Sequence, residues 1–140
     1  MPSFVVDNSV SASWCFKDEQ SEFSVNLLRS LYLDPHSRIF APSIWPEEAA
    51  NAILMAAKRN RITPEEVAQC FELLIRLPIT VEPANLNRSF SDIPLLARKH
   101  NLTSYDASYL EIAIRRCLPI ASFDKQLLKA AFSEDVTVLK

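Results

Sequence analysis

Two kinds of hydrophobic pattern alternate along the chain. Short apolar or β-branched runs bounded by turn-forming residues predict buried strands, and apolar residues recurring every three or four positions predict helices. Strands are expected at residues 4–6, 39–41, 79–81, 118–121 and 136–139. Helices are expected at residues 10–16, 22–33, 43–60, 63–76, 90–100, 103–117 and 125–131. This alternation predicts an α/β fold with a mostly parallel sheet covered by helices on both faces.

The stretch 103–117 is the most informative of the predicted helices. Thr103 suits the N-cap position, and a core-facing stripe begins at Asp106. The stripe continues through Tyr109, Leu110, Ala113, Ile114 and Cys117. An unpaired carboxylate on such a face costs several kcal/mol, so Asp106 would need donors or a cation. The alternative is a capping box, in which the Asp106 side chain turns back to the start of the helix.

The polar side of the same helix carries three charged residues. Glu111, Arg115 and Arg116 fall opposite the apolar stripe and are expected to face solvent. Solvated charges are the ordinary explanation for such a face, and a basic rim for a polyanionic ligand is the functional one. We favour solvated charges for these two arginines and for Lys125.

Composition places the chain among globular proteins of one domain, here taken as residues 1–140. Hydrophobic residues make up 49%, charged residues 23%, and the formal net charge is −2. No apolar run approaches about 18 residues, so no membrane span is expected, and the first ten residues do not resemble a signal peptide. The three cysteines are far apart and lack zinc-like spacing, which fits a reducing cytoplasm.

The absence of glycine from the sequence excludes two common phosphate-binding motifs. A P-loop and a dinucleotide-binding turn both need glycines so that backbone can approach phosphates closely, and the chain contains none. The slightly acidic balance also argues against a protein that coats nucleic acid non-specifically. Neither observation argues against an enzyme that binds nucleic acid through metal ions.

Four acidic residues share one kind of position. Asp7 and Asp124 directly follow predicted strands, while Glu48 and Asp106 begin predicted helices. Each acid also has an ordinary explanation as a cap or as a first-turn acid. The carboxyl edge of a parallel sheet is where ligands bind, so the four acids could instead meet in one cleft. Converging carboxylates repel unless a cation compensates them, and an all-oxygen site suits Mg²⁺ or Mn²⁺. Such a site can position and polarise a phosphodiester.

Four segments, VVDNSV at 5–10, WPEEAAN at 45–51, LTSYDASYL at 102–110 and LPIASFD at 118–124, follow one another along the chain. In this order they resemble PIN-domain ribonucleases, specifically the VapC-type toxins of type II toxin–antitoxin pairs. The resemblance implies a three-layer α/β/α sandwich with a five-stranded parallel sheet. It implies that Asp7, Glu48, Asp106 and Asp124 bind Mg²⁺ or Mn²⁺, with support from Ser122. It also implies cleavage of RNA, a homodimer, a cognate antitoxin and a cytoplasmic location.

The chain departs from this family where the family usually carries glycines. Asn60, Asn101 and Cys117 occupy those turns, so altered turn chemistry is expected there. Two other classes of protein place an acid after the first strand of a similar sheet. An aspartate-nucleophile phosphatase needs a second Asp at the position of Ser9. A phosphoacceptor receiver domain needs an acceptor Asp after the third strand, where this chain has Glu82. A further alternative is a PIN-fold protein that binds RNA or a partner without cleaving it.

Overall fold

The computed structural model describes residues 3–140, so the first two residues of the predicted domain lie outside it. The strands are β1 (Ser3–Val6), β2 (Arg38–Ala41), β3 (Ile79–Val81) and β4 (Ile120–Ala121). The helices are α1 (Asn8–Ser13), α2 (Glu22–Leu33), α3 (Trp45–Lys58), α4 (Pro64–Arg76), α5 (Ile93–His100), α6 (Ser104–Arg116) and α7 (Lys125–Ser133). A 3₁₀ turn covers Lys17–Glu19, and a π-helical turn, Arg88–Asp92, leads into α5. None of the helices described between residues 3 and 140 is long and apolar enough to cross a lipid bilayer.

The four strands form one parallel sheet in the order β3-β2-β1-β4. This confirms the predicted α/β fold with a parallel sheet, but the expected fifth strand is wrong. The segment 136–139 makes only an isolated parallel bridge, Ile120 to Val138. The segment does not extend into a strand because its neighbour β4 has only two residues. Ile120 alone makes both backbone hydrogen bonds to the segment, each 2.9 Å long.

The strand order places a crevice beside β1. The chain adds β2 and β3 on one side of β1 and then crosses over, so that β4 pairs with the other side. Ligands of open α/β sheets bind at such a reversal, outside the carboxyl ends of the strands. Asp7 directly follows β1 and Ser122 directly follows β4, so two of the predicted site residues border this crevice.

The core forms where α6 packs against the sheet. Val5, Val6, Tyr109 and Leu110 are completely buried, as expected for a parallel sheet covered on both faces. The prediction that Glu111 faces solvent is wrong, because only 7% of this residue is exposed. Its carboxylate is paired with the guanidinium of Arg115 one turn further along α6, at 2.7 Å.

Helix α6 ends at an unusual residue. Cys117 has φ 54° and ψ 46°, the left-handed conformation that glycine adopts without cost. Asn60 and Asn101 have similar positive φ angles, and Asn tolerates this region better than most residues. The turn chemistry expected at these three positions is therefore present, and Cys117 is the residue least suited to it.

Replacing Cys117 with Gly should stabilise the protein by about 1 kcal/mol. A Cβ in the left-handed region costs roughly 1–2 kcal/mol, and the greater freedom of Gly in the unfolded chain cancels part of the gain. Thermal unfolding should show a higher midpoint for Cys117→Gly and little change for Cys117→Ala, which removes the thiol and keeps the Cβ. Equal midpoints for the Gly and Ala variants would show that the turn is not strained.

Candidate functional site

Asp7 is the central acid of the crevice. It follows β1 as the N-cap residue of α1, and only 5% of it is exposed. One carboxylate oxygen, Oδ2, accepts hydrogen bonds from the hydroxyls of Ser9 and Ser122, each 2.8 Å long. Burial raises the pKa of Asp7 and the nearby charge of Asp124 adds to this, while the two serine hydrogen bonds act in the opposite direction. Two hydroxyl donors therefore stabilise the ionised form of a carboxylate that burial and a neighbouring negative charge disfavour.

The two serines also tie the ends of β1 and β4 together. The Ser9 hydroxyl accepts the backbone N–H of Phe123 at 3.0 Å, and the Ser122 hydroxyl accepts that of Asp124 at 2.9 Å. Each serine therefore donates to Asp7 and accepts from the loop that leads into α7. This arrangement fixes the position of Asp7 relative to Asp124. The sequence prediction included Ser122 and missed Ser9, whose place in the first turn after Asp7 was the available signal.

Glu48 lies in the first turn of α3 and reaches across to α6. Its Oε1 atom accepts a hydrogen bond of 2.6 Å from the hydroxyl of Tyr109, which is completely buried. Burial raises the pKa of Glu48, as do the charges of Asp7 and Asp106, whereas the Tyr109 hydrogen bond lowers it. The neighbouring Glu47 is exposed. The contact between Tyr109 and Glu48 was not predicted, because the two residues are 61 positions apart.

Asp106 and Asp124 complete the group at the starts of α6 and α7. The backbone N–H of Asp106 donates to the Thr103 hydroxyl at 3.1 Å, which is the Thr103 half of the capping box considered above. Asp124 is an N-cap, as its ordinary explanation predicts, and its Oδ1 accepts the N–H groups of Gln126 and Leu127. All four acids consequently lie at helix N-termini, where the helix dipoles partly offset their charge.

The four carboxylates are close enough to influence one another. Burial raises the pKa of Asp106, and the charges of Asp7 and Asp124 raise it further. Glu48 is coupled in the same way to Asp7 and Asp106. Within residues 3–140, no lysine, arginine or histidine forms an ion pair with any of the four acids. The sheet edge thus carries a concentrated negative charge that no described side chain neutralises.

The chemistry of these donors fits a hard divalent cation. Carboxylates and hydroxyls are the oxygen ligands that Mg²⁺ and Mn²⁺ prefer, and a cation would relieve the repulsion among the acids. In the described part of the chain, no three His, Cys, Asp or Glu side chains are grouped closely enough to form a ready metal site. The acids are therefore neighbours at one edge, and their carboxylates do not form a closed cage.

Comparisons with known proteins agree with the fold. No protein-family profile and no curated protein sequence matches the chain. The crystal structure of FitAcB from Neisseria gonorrhoeae is similar, with a TM-score of 0.65 and 17% identity over 98% of this chain and 96% of that one. The crystal structure of PAE2754 from Pyrobaculum aerophilum is similar at a TM-score of 0.63, with 19% identity over 92% of this chain and 84% of that one.

These two likenesses concern the backbone architecture, since both identities lie below 20%. They show that this chain shares the α/β architecture of both proteins. The similarity covers nearly the whole chain, so the sheet edge that carries the four acids belongs to the shared architecture.

Proposed function

We propose that the protein is a metal-dependent endoribonuclease, the toxin of a type II toxin–antitoxin pair of the VapC type that acts in the cytoplasm. The observation that carries this proposal is the set of four carboxylates at helix starts along the carboxyl edge of the sheet, each repelled by at least one of the others and without a cationic partner among the described residues. Structural proteins rarely gather acids in this way, because the repulsion lowers their stability. The α/β fold with a parallel sheet agrees with the proposal, since the resemblance of the four motifs to VapC-type toxins implies such a fold.

Asp7, Glu48, Asp106 and Asp124 are the residues that would hold Mg²⁺ or Mn²⁺. When bound, the ion supplies Lewis-acid polarisation of the phosphodiester and lowers the pKa of water. Ser122 supports the site by donating to Asp7 and fixing the loop before Asp124. Glu48, whose carboxylate accepts a hydrogen bond from the Tyr109 hydroxyl, would complete the ligand set or orient a water molecule there.

The helix starts assist with the substrate. The N-termini of α3, α6 and α7 adjoin the acids, and their helix dipoles favour a phosphate group. The sheet and helices fix the backbone at all of these points, so the phosphodiester is positioned by groups that need little rearrangement. RNA binding and chemistry then occur at one edge of the molecule.

The first test is cleavage of total cellular RNA by the purified protein, free of antitoxin, in Mg²⁺, Mn²⁺ or EDTA. Discrete fragments are expected only with metal. The Asp106→Asn variant should lose this activity, and Glu47→Gln should keep it, because Glu47 is an exposed acid one residue from Glu48. Fragments that form equally in EDTA, or that persist in Asp106→Asn, would refute the metal-dependent mechanism.

Tyr109 is proposed as a positioning residue for Glu48. Tyr109→Phe keeps the buried ring and removes the hydroxyl that donates to Glu48. Affinity for Mn²⁺ should fall by about tenfold, since partners that orient ligands typically contribute 10–100-fold. Titration calorimetry with Mn²⁺ measures this, with Tyr32→Phe on the exposed surface as the matched control. An unchanged Mn²⁺ affinity in Tyr109→Phe would remove Tyr109 from the site.

A protein antitoxin and a homodimer complete the proposal. The resemblance to VapC-type toxins implies a cognate antitoxin, which would cover the acidic edge. The alternative is a PIN-fold protein that binds RNA or a partner without cleaving it. Metal-dependent hydrolysis that Asp106→Asn abolishes separates the enzyme from the binder. Sedimentation velocity of the purified chain tests the homodimer.

A further inference from the structure

A cleft adjoins the acidic edge and takes no part in the site described so far. It lies between α6 and the segment that joins β3 to α5, and Tyr105 and Ser108 of α6 form one side. Arg88 and Asn85 form the opposite side, and Ile44 closes one end. Its volume is about 200 Å³, below the roughly 300–1,000 Å³ of sites for drug-sized ligands. A cleft of this size suits one planar group.

The cleft lies at the same carboxyl edge of the sheet as the four acids, beside β2 and β3. Pro42 and Glu82, which line the cleft, directly follow β2 and β3, just as Asp7 and Ser122 directly follow β1 and β4. A phosphodiester at the acids would therefore place an adjacent nucleotide at the mouth of this cleft. The Tyr105 side chain stands at the rim with 56% of the residue exposed. An exposed aromatic ring beside a nucleic-acid site is a stacking surface for an unpaired base.

The walls of the cleft are held by a buried ionic network. Glu82 and Glu111 line the cleft and are only 6% and 7% exposed. Arg115 binds both carboxylates from behind, and Arg116 Nε donates to Glu82 at 2.5 Å. The arginines that the sequence suggested as solvated charges are thus occupied in building this wall. Rigid walls of this kind are what a specific pocket needs.

Arg88 has a different position from the other two arginines. Its Nε lies 3.9 Å from the Glu111 carboxylate, which orients the side chain, and its backbone N–H is fixed by Asn85 Oδ1 at 3.0 Å. Among residues 3–140, its guanidinium makes no hydrogen bond. A guanidinium with free donors presents a rigid fork that matches two adjacent acceptors. Guanine offers such a pair, O6 and N7, on one edge.

We propose that this cleft binds a guanine base next to the scissile phosphate of single-stranded RNA, with Tyr105 stacked on the base and Arg88 bound to O6 and N7. This inference rests on the proposed ribonuclease function and adds a sequence preference to it. The base must be unpaired, because the edge read by Arg88 and the face covered by Tyr105 are not both accessible in an A-form helix. Single-stranded loops and ends are therefore the substrate class.

The test uses a single-stranded RNA pool with randomised central positions, cleaved in Mn²⁺ and sequenced at the new ends. The unaltered protein should cut beside guanine at one flanking position at least about tenfold more often than beside the other bases. Arg88→Lys keeps the charge but loses the fork, so the preference should fall to within about threefold. The control Arg98→Lys alters an exposed arginine of α5 outside the cleft and should leave the preference unchanged.

Tyr105 is tested on the same pool. Tyr105→Ala should reduce kcat/KM on RNA by about tenfold, because base stacking on an aromatic side chain contributes substantially to binding, and Tyr105→Phe should retain it. Tyr32→Ala removes an equally exposed tyrosine, 59% against 56%, from another surface and serves as the matched control. Equal losses in Tyr105→Ala and Tyr32→Ala would overturn the stacking role.

The possible results separate this inference from the function on which it rests. Cleavage without base preference, or a preference that survives Arg88→Lys, overturns the guanine subsite and leaves the ribonuclease intact. If Arg88→Lys slows all sequences equally, Arg88 binds a phosphate and the subsite is again refuted. If nothing is cleaved, the ribonuclease proposal fails, and fluorescence anisotropy with guanine- and adenine-containing oligoribonucleotides decides the subsite. Equal binding of the two oligoribonucleotides then refutes it, and guanine preference lost in Arg88→Lys supports it.

Discussion

Asp7→Asn is expected to abolish metal-dependent RNA cleavage while leaving the protein at least as stable as the unaltered chain. Asp7 is almost completely buried, has no cationic partner among the described residues and lies near Asp124. An Asn at this position can still accept the hydrogen bonds of Ser9 and Ser122, and it removes one of the repelling charges. The free energy of unfolding should therefore rise or stay constant, by about 0–1 kcal/mol.

The loss of activity in Asp7→Asn should be at least about 10³-fold. A bound divalent ion contributes several kcal/mol to stabilisation of phosphoryl transition states, and about 1.4 kcal/mol corresponds to a tenfold change in rate. Single-turnover cleavage of one RNA in Mn²⁺ measures this loss. Thermal unfolding measures stability on the same sample, so an inactive variant that has merely unfolded is recognised at once.

Metal binding gives a second measurement for Asp7 that does not depend on the substrate. A ligand that binds only the folded state stabilises it by about 2.7 kcal/mol at 100 times its Kd. Mn²⁺ should therefore raise the unfolding midpoint of the unaltered protein, and the rise should be much smaller for Asp7→Asn. If Asp7→Asn cleaves RNA at the normal rate, or gains the same stability from Mn²⁺, Asp7 does not belong to the metal site.

Opposite effects on activity and stability would show that the acid cluster is kept for function. Residues selected for folding alone lower stability when they are replaced, whereas strained functional groups often do the reverse. The same reasoning applies to Asp106, whose pKa is raised by burial and by its two acidic neighbours. It does not apply to Asp124, which also caps α7 through Gln126 and Leu127.

The sequence pattern predicted features of the fold that depend on local signals. The span 103–117 agrees with α6, because the Thr103 cap and the apolar stripe are encoded within a few residues of the helix they define. The predicted stripe is buried from Tyr109 to Ala113, but its last two residues, Ile114 and Cys117, are exposed. The four acids could be assigned to one sheet edge because parallel strands share a carboxyl end. Their role as metal ligands remains a prediction.

The features that the sequence did not predict depend on contacts between distant parts of the chain. The segment 136–139 has a strand-like composition, but whether it pairs depends on the length of β4, which the segment itself does not encode. Glu111 occupies a polar helix position, and it is buried because Arg115 joins it to Glu82, 33 positions before Arg115. Local periodicity carries no information about such partners.

Glu82→Gln is expected to destabilise the protein by about 1–2 kcal/mol. Burial by itself would raise the pKa of Glu82, but hydrogen bonds and charges from Arg115 and Arg116 outweigh it and hold this pKa below its usual range. The guanidinium of Arg116 also lies 4.5 Å from the centre of the Phe40 ring, which ties this network to β2. The side chains of Arg115 and Arg116 are 31% and 41% exposed, so water partly screens the charges left behind and the loss stays below the roughly 3–5 kcal/mol typical of a fully buried pair.

The pH dependence of stability provides an independent test of Glu82. An acid whose pKa is lowered in the folded state contributes stability above its unfolded pKa, and this contribution is lost as the pH falls through the folded pKa. Titration of Glu82 should therefore lower the free energy of unfolding of the unaltered protein below about pH 4.3, the ordinary pKa of Glu, while the raised pKa values of Asp7, Glu48 and Asp106 act in the opposite direction. In Glu82→Gln this decrease should be smaller, because the group that titrates is gone.

Glu72→Gln is the matched control for this experiment. Glu72 pairs with Arg76 on the exposed surface of α4, where an ion pair contributes at most about 0.5 kcal/mol. Denaturant unfolding of both variants at neutral pH and near pH 4 compares a buried and an exposed carboxylate of the same type. Equal destabilisation of the two variants would mean that the network around Glu82 contributes no more than a surface pair. A loss confined to Glu82→Gln would show that the wall of the cleft is built from charges that must remain paired.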